Sequence, residues 1–149
     1  MSKPIKKKVF AYITQNDKLL VFEHTQHPEA GIQVPAGTLE VDETPQEGAL
    51  REAREESGLQ KLTVTRFLGE QVRDMSDYDK NEIHHRYFYH LLCEEDAPDT
   101  WLHHELYSSE ESGITHEFRF YWVEIANPPQ LIADHDYHLN ALRRHLRAD

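Results

Sequence analysis

The sequence predicts an α/β fold built as a mixed α+β sheet with helices packed against it. Three observations carry that expectation. Strand-like and helix-like segments follow one another as strands, helix, strands, helix. The first helix carries an unusually complete set of start and stop signals. The length of 149 residues suits one domain, residues 1–149, with a core that needs no metal or disulfide staples.

Taken in order, Val9 to Ile13 and Leu19 to Phe22 are compact apolar stretches. The residues between them centre on Asn16-Asp17, which suits a tight turn, so the pair reads as a hairpin. Gly31 to Gly37 holds Pro35 and two glycines and is expected to be a loop. Thr44, Pro45 and Glu47 read as an N-cap, a proline at the first helical position and a capping box. The helix they open runs to about Ser57, with Gly58 as its left-handed stop. Leu62 to Leu68 and Ile83 to Leu92 read as strands. In the second, Tyr87 and Tyr89 share a face with Ile83 and Leu91, opposite His84, Arg86, Phe88 and His90. One of these faces must be core, which leaves the other to stack on a base. Glu94 to Thr115 is polar and acidic, an insertion or long loop with one helical turn around Trp101 to Tyr107. It reads as a substrate lid or a homodimer contact. Phe118, Phe120 and Trp122 alternate along a strand from Phe118 to Ile125. Asp134 is placed to cap a final helix, His135 to Arg147, with Leu139, Leu142 and Leu146 on one side.

Composition narrows the function. The 27 acidic residues outnumber 16 Lys and Arg, for a net charge of −11, which disfavours binding to duplex nucleic acid. Seven Tyr, six Phe and two Trp argue against a disordered acidic tail. No apolar run approaches the roughly 18 residues of a membrane span, so no membrane partner is expected. The basic start MSKPIKKKVF leads into an alternating segment rather than an apolar signal core, so secretion is unsupported. The single Cys93 excludes an internal disulfide and fits a reducing compartment, the cytoplasm.

The charge is concentrated on the first helix. From Glu40 to Glu56 there are seven acidic residues against two arginines. At about 100° per residue, Ala49, Leu50, Ala53 and Ser57 form a small buriable face, while Glu52, Glu55 and Glu56 share another arc edged by Arg51. Like charges at these spacings disfavour a helix by a few tenths of a kcal/mol per pair. Their position near the C-terminal end adds an unfavourable dipole contact. A solvated acidic face is the plain account; a hard divalent cation would make the cluster favourable. Mg²⁺ takes oxygen ligands through one or two carboxylates plus substrate phosphates.

The wider pattern reads Gly37, five residues, Glu43, seven residues, Arg51-Glu52, Ala53, Arg54, Glu55-Glu56, Ser57, Gly58, Leu59. It resembles the Nudix box of the Nudix hydrolase superfamily, matched at every fixed position over 23 residues. The resemblance implies an α/β/α sandwich. It also implies hydrolysis of a nucleoside diphosphate linked to a further group X, by water attack at a pyrophosphate phosphorus. On that reading Glu52, Glu55 and Glu56 bind Mg²⁺, for which Mn²⁺ can substitute, and the Gly37 carbonyl adds a ligand. Arg51 orients the carboxylates by a bidentate contact, and Glu43 supports the site from the loop side. The general base is Glu52 or a loop carboxylate among Glu105, Glu110, Glu111 and Glu117. Glu117 precedes the aromatic strand on its opposite face and reads equally as an exposed strand-end carboxylate.

The eleven histidines lack a cysteine partner or an HExxH motif, so ordinary histidines are favoured over zinc ligands. Lys6, Lys7 and Lys8 suit a distal phosphate or a simple solvated terminus. Marks of several substrate subgroups are missing, including a proline beyond the box, since none lies between Gln46 and Ala97. Nucleoside triphosphates, dinucleoside polyphosphates, nucleotide sugars and capped RNA ends remain, with long RNA disfavoured by charge. A non-catalytic Nudix-fold nucleotide sensor or protein-interaction domain is the rival reading. The family's isomerase branch needs a site cysteine, and Cys93 is poorly placed for that.

Overall fold

The computed structural model describes residues 2–106 and 115–147. Its strands are β1 (Ile5–Gln15), β2 (Lys18–His24), β3 (Ala36–Thr38), β4 (Leu62–Asp74), β5 (Ile83–Cys93), β6 (Thr100–Leu106) and β7 (Thr115–Glu124). The helices are α1 (Pro45–Ser57) and α2 (Leu139–Arg147). Together they form the mixed α+β architecture expected from the sequence, one seven-stranded sheet in the order β4-β5-β1-β2-β7-β6 with β3 paired to β1. No helix among the described residues is long and apolar enough to cross a membrane.

β1 is central and runs parallel to β5 over its whole length. Its residues alternate between two cores. Val9, Ala11 and Ile13 pack with Ala49 and Ala53 of α1, whereas Phe10 and Tyr12 pack with Leu139 and Leu142 of α2. Burial on both faces explains why this segment is an unbroken apolar run. It also settles the tyrosine strand, because both faces of β5 are covered. Tyr89 and Leu91 belong to the α1 core and Phe88 to the α2 core.

The β1–β2 hairpin turns through Asn16 and Asp17, both at positive φ, as a tight two-residue turn demands. Beyond the turn the ladder holds for only two residue pairs, Thr14 with Leu19 and Gln15 with Lys18. The strands then part, and the segment from Gln33 to Thr38 enters the gap. Phe22 exchanges backbone hydrogen bonds with Gln33, Ala11 N donates to Pro35 O at 2.9 Å, and Gly37 lies opposite Val9. Much of the expected Gly31 to Gly37 loop is therefore sheet-bound, and this wedge anchors the acidic stretch that follows.

The capping box of α1 forms as read. Glu47 N donates to Thr44 Oγ1 at 3.2 Å, Thr44 N donates to Glu47 Oε1 at 2.9 Å, and Gly58 closes the helix at φ +81°. Other expectations need correction. β4 continues to Asp74 because its polar second half pairs with β5 at the sheet edge, where solvent covers what a core would otherwise need. The segment from Thr100 to Leu106 is a strand, not a helical turn, since it finds a ladder along β7. Residues 107–114, within the expected lid, lie outside the described residues. Asp134 does not cap the last helix. It sits at φ +61° and accepts from Arg73 Nε and Gln71 Nε2, both at 3.0 Å, and α2 begins at Leu139.

The approach to α2 is fixed from β1. Tyr12 donates its hydroxyl to the His135 carbonyl at 2.6 Å, and Val34 N donates to His135 Nδ1 at 3.1 Å. Burial, helped by the charge of Arg86, pushes the imidazole from 6.5 down to about 3. The folded protein thus holds this ring neutral, and the unfolded chain binds its proton more readily. The associated stability is complete above 6.5 and is lost as pH falls toward 3. The melting temperature is expected to fall by roughly 4–8 °C between pH 7 and pH 5. His135→Asn, whose Oδ1 can still accept from Val34, should shrink that fall; equal falls in both proteins would locate the effect elsewhere.

Candidate active site

α1 reaches the sheet through a face of small residues, so its backbone approaches β3 closely. Gly48, Ala49, Ala53 and Ser57 are buried along it. The closest meeting is at Gly37, where an added Cβ would stand 2.1 Å from the Glu52 carboxyl carbon. The Glu52 side chain occupies the space that any other residue at 37 would fill. One turn on, Glu56 is 8% exposed and its Oε1 accepts from Ala36 N at 2.7 Å. Two successive residues of β3 are thereby docked against two carboxylates of one helix face.

Arg51 gathers the remaining acids. Its Nε and Nη2 donate to the two oxygens of Glu43 at 2.6 and 2.9 Å, the fork-to-fork contact of a guanidinium with a carboxylate. Nη1 donates to Glu52 at 2.7 Å and to Glu55 at 3.3 Å, while Nη2 also reaches the Thr38 carbonyl at 3.2 Å. Glu40 Oε1 lies 2.9 Å from Nε. The bond from Arg51 holds the Glu43 carboxyl below its ordinary range, and Glu43 in turn holds the guanidinium above its own.

The sheet also supports the end of α1 that the carboxylates burden. Trp101 Nε1 of β6 donates to Ser57 O at 2.8 Å, and His103 Nε2 stands 2.9 Å from Glu55 O. The acidic insertion thus contributes an edge strand that dresses the last carbonyls of the helix. Sequence reading missed this, although the alternation of Trp101 and His103 with Leu102 and His104 carried the signal.

The structure places Gly37, Glu43, Arg51, Glu52, Glu55 and Glu56 around one contact between β3 and α1. Among the described residues, however, no three His, Cys, Asp or Glu side chains stand gathered as a ready metal group. The Arg51 guanidinium lies among Glu43, Glu52 and Glu55, and Glu56 turns toward Ala36. The donor chemistry fits a hard divalent ion, because every candidate offers oxygen, and the bare Gly37 lets main chain and carboxylate meet.

Glu117 lies apart. Its oxygens bond Thr25 Oγ1 at 2.8 Å and His104 Nε2 at 2.9 Å, and the Thr25 bond leads in keeping its carboxyl below the usual range. No bond from Glu117 to α1 is seen among the described residues. Glu110 and Glu111 lie outside the described residues, as does the side chain of Glu105. The histidines fall into several hydrogen-bonded settings: His85 stands 2.6 Å from Glu70 and His84 2.9 Å from Glu82, while His24 meets His116 at 2.8 Å and His90 meets His145 at 3.1 Å.

On the opposite face of the sheet, beside Ala36 and Gly37, a cavity of about 370 Å³ opens. Lys8, Phe10, Tyr78, Lys80, Arg86 and His135 are among its lining residues. Of these, sequence reading singled out only Lys8 as a phosphate contact. Arg86 was visible as a charge on a strand face shared with Phe88, and its burial was not.

A family model for the NUDIX domain matches residues 4–143. No curated protein matches by sequence. Among solved structures, a UDP-X diphosphatase superposes with TM-score 0.66 at 16% identity, over 99% of this chain and 65% of that one. A MutT protein from Methanosarcina mazei Go1 gives 0.65 at 17% identity, over 97% and 98% of the two chains. An ADP-ribose pyrophosphatase from Streptococcus suis 89-1591 gives 0.59 at 18%, over 95% and 92%. At these identities the likeness shows a shared fold.

Only a planar fork can serve Glu43 twice while reaching Glu52 and Thr38. Arg51→Lys is therefore expected to lower stability by about 1–3 kcal/mol. Denaturant titration should show a lower midpoint at unchanged slope; an unmoved midpoint would mean that a point charge suffices here.

Proposed function

The chain belongs to the Nudix hydrolases, and from that premise we propose a metal-dependent pyrophosphohydrolase acting as a single domain on a small nucleotide. The observation that carries this reading is the contact of Gly37 with Glu52, clamped by Arg51 and Glu43. That contact demands a bare glycine and a carboxylate turned in toward the sheet, and a solvated acidic face needs neither.

Glu52, Glu55, Glu56 and the Gly37 carbonyl would hold Mg²⁺, with Mn²⁺ as substitute. Bound there, the ion would offset the charge of the pyrophosphate oxygens and lower the pKa of the attacking water. The chain's own part is orientation and proton transfer. Arg51 sets the Glu52 rotamer, and Glu43 keeps Arg51 from swinging toward the substrate. The water oxygen forms a bond to phosphorus as the P–O anhydride bond breaks, and the water proton passes to a carboxylate. Glu52 is the candidate base, since Glu117 bonds Thr25 and His104 instead. The names of the similar structures span different substrates, and each name belongs to that protein alone. For this chain, nucleoside triphosphates, dinucleoside polyphosphates and nucleotide sugars suit a strongly acidic protein that meets anions through bound cations.

Cleavage of a panel of these compounds to a nucleoside phosphate and phosphorylated X or pyrophosphate, followed by chromatography, is expected with Mg²⁺ or Mn²⁺ and not with EDTA. Glu56→Gln keeps the acceptor for Ala36 N, so the fold should stay intact while kcat falls roughly 10²-fold or more. Binding without turnover across the panel would replace this reading with a nucleotide sensor.

A further inference from the structure

The cavity behind β3 is basic within a strongly acidic chain. Its charged lining residues are Lys8, Lys80 and Arg86, and no Asp or Glu among the described residues lines it, although the chain carries a net −11. Arg86 is the anomaly. It is only 1% exposed, one of the largest fully buried side chains. Its partners are all uncharged groups or neutral rings. Nη1 donates to Ala133 O at 2.7 Å and Gln71 Oε1 at 3.3 Å, Nη2 reaches Met75 Sδ at 3.4 Å, and Nε faces His84 Nδ1 at 3.4 Å. The guanidinium also sits 4.7 Å from the centroid of the Phe10 ring. No carboxylate pairs with it among the described residues. The nearby acids are engaged, Asp134 by Arg73 and Gln71, and Glu82 by His84 and Lys6.

The acid charge that Arg86 feels is that of Asp134, already bonded to Arg73 and Gln71, and a buried guanidinium with so indirect a counter-charge is expensive and persists where something else adds to it. Burial pushes the Arg86 guanidinium down to about 10, which leaves it protonated at neutral pH. Lys8 stands at the rim with Nζ bonded to Thr38 Oγ1 at 2.6 Å, and burial lowers it as well. The wall opposite is strained. Ala133, whose carbonyl takes the Arg86 bond, has φ +48°, and Asp134 follows at +61°. Strain of this kind collects where a binding surface is held in one shape.

We propose that this cavity binds a phosphoryl group of the substrate beyond the anhydride that is cleaved. Lys8 and Lys80 contact its oxygens, and Arg86 supplies the buried counter-charge beneath them. The assignment rests on the hydrolase reading and deepens it, because it selects substrates whose X group is itself phosphorylated over those whose X group is neutral. Arg86 acts as a positioning charge, since its burial keeps it from direct contact. The opening beside Ala36 and Gly37 places the phosphoryl group across β3 from Glu52 and Glu56.

The test is calorimetric titration of the full chain with inorganic pyrophosphate in EDTA, which needs no turnover. Wild-type protein is expected to bind it, and Lys61→Gln, at an exposed lysine outside the cavity, to bind equally well. Lys8→Gln/Lys80→Gln should weaken binding about tenfold or more. Arg86→Met, which fills the same space without charge, should weaken it similarly while leaving the melting temperature unchanged or raised. Absent binding, or equal binding in all four proteins, would overturn the assignment. Loss of nucleotide hydrolysis in every assay with pyrophosphate binding intact would instead count against the hydrolase reading alone. Where turnover is found, the lysine pair variant should lose kcat/KM for a substrate with a phosphorylated X group and keep it for a neutral counterpart.

Discussion

Gly37 has no side chain, and the Glu52 carboxylate takes the space that one would need. Much of the site's arrangement follows from this contact. A helix can approach a strand so closely only if its facing residues are small, which Gly48, Ala49, Ala53 and Ser57 are. The strand can meet it only if its own position is rigid, and β3 is held by β1 on one side and by the segment up to Gln33 against Phe22 on the other. With both partners fixed, the remaining carboxylates have few places to go. Arg51 then turns a repulsive cluster into a bonded one.

The parting of β1 and β2 is the feature of the sheet that makes this possible. An ordinary hairpin would keep pairing and leave no room. Here two ladder pairs suffice, and the gap admits the chain that leads into the acidic stretch. Because the wedge lies within the sheet, it presents groups to both faces. The α1 side carries the carboxylates and the α2 side carries the cavity with Lys8 and Arg86. One short strand thus separates a strongly acidic surface from a basic one.

That separation changes what the net charge means. A protein at −11 repels polyphosphates at long range, yet its sheet interior holds a buried guanidinium that forms no salt bridge among the described residues. The two charges act at different distances. Surface carboxylates are screened by solvent and salt, whereas a buried cation in low dielectric keeps its field over several ångströms.

Much of this was legible in the sequence. The box spacing from Gly37 to Leu59, the capping signals at Thr44 and Glu47, the stop at Gly58 and the alternation of Phe118, Phe120 and Trp122 are local patterns. Their physics is contained within a few residues, so reading along the chain recovers them. What failed or was missed depends on partners far away in sequence. Thr100 to Leu106 becomes a strand because β7 offers an edge. Asp134 leaves the cap position because Arg73 and Gln71 claim it from the far side of the chain. Arg86 is buried without a salt bridge among the described residues because β1, Met75 and Ala133 close around it. By itself the sequence determined which residues belong to the box and which helix carries them, since helical periodicity and capping are short-range. Only the tertiary structure decided that Glu52 meets Gly37 and that a basic cavity lies behind them, because burial and charge pairing belong to the space between elements.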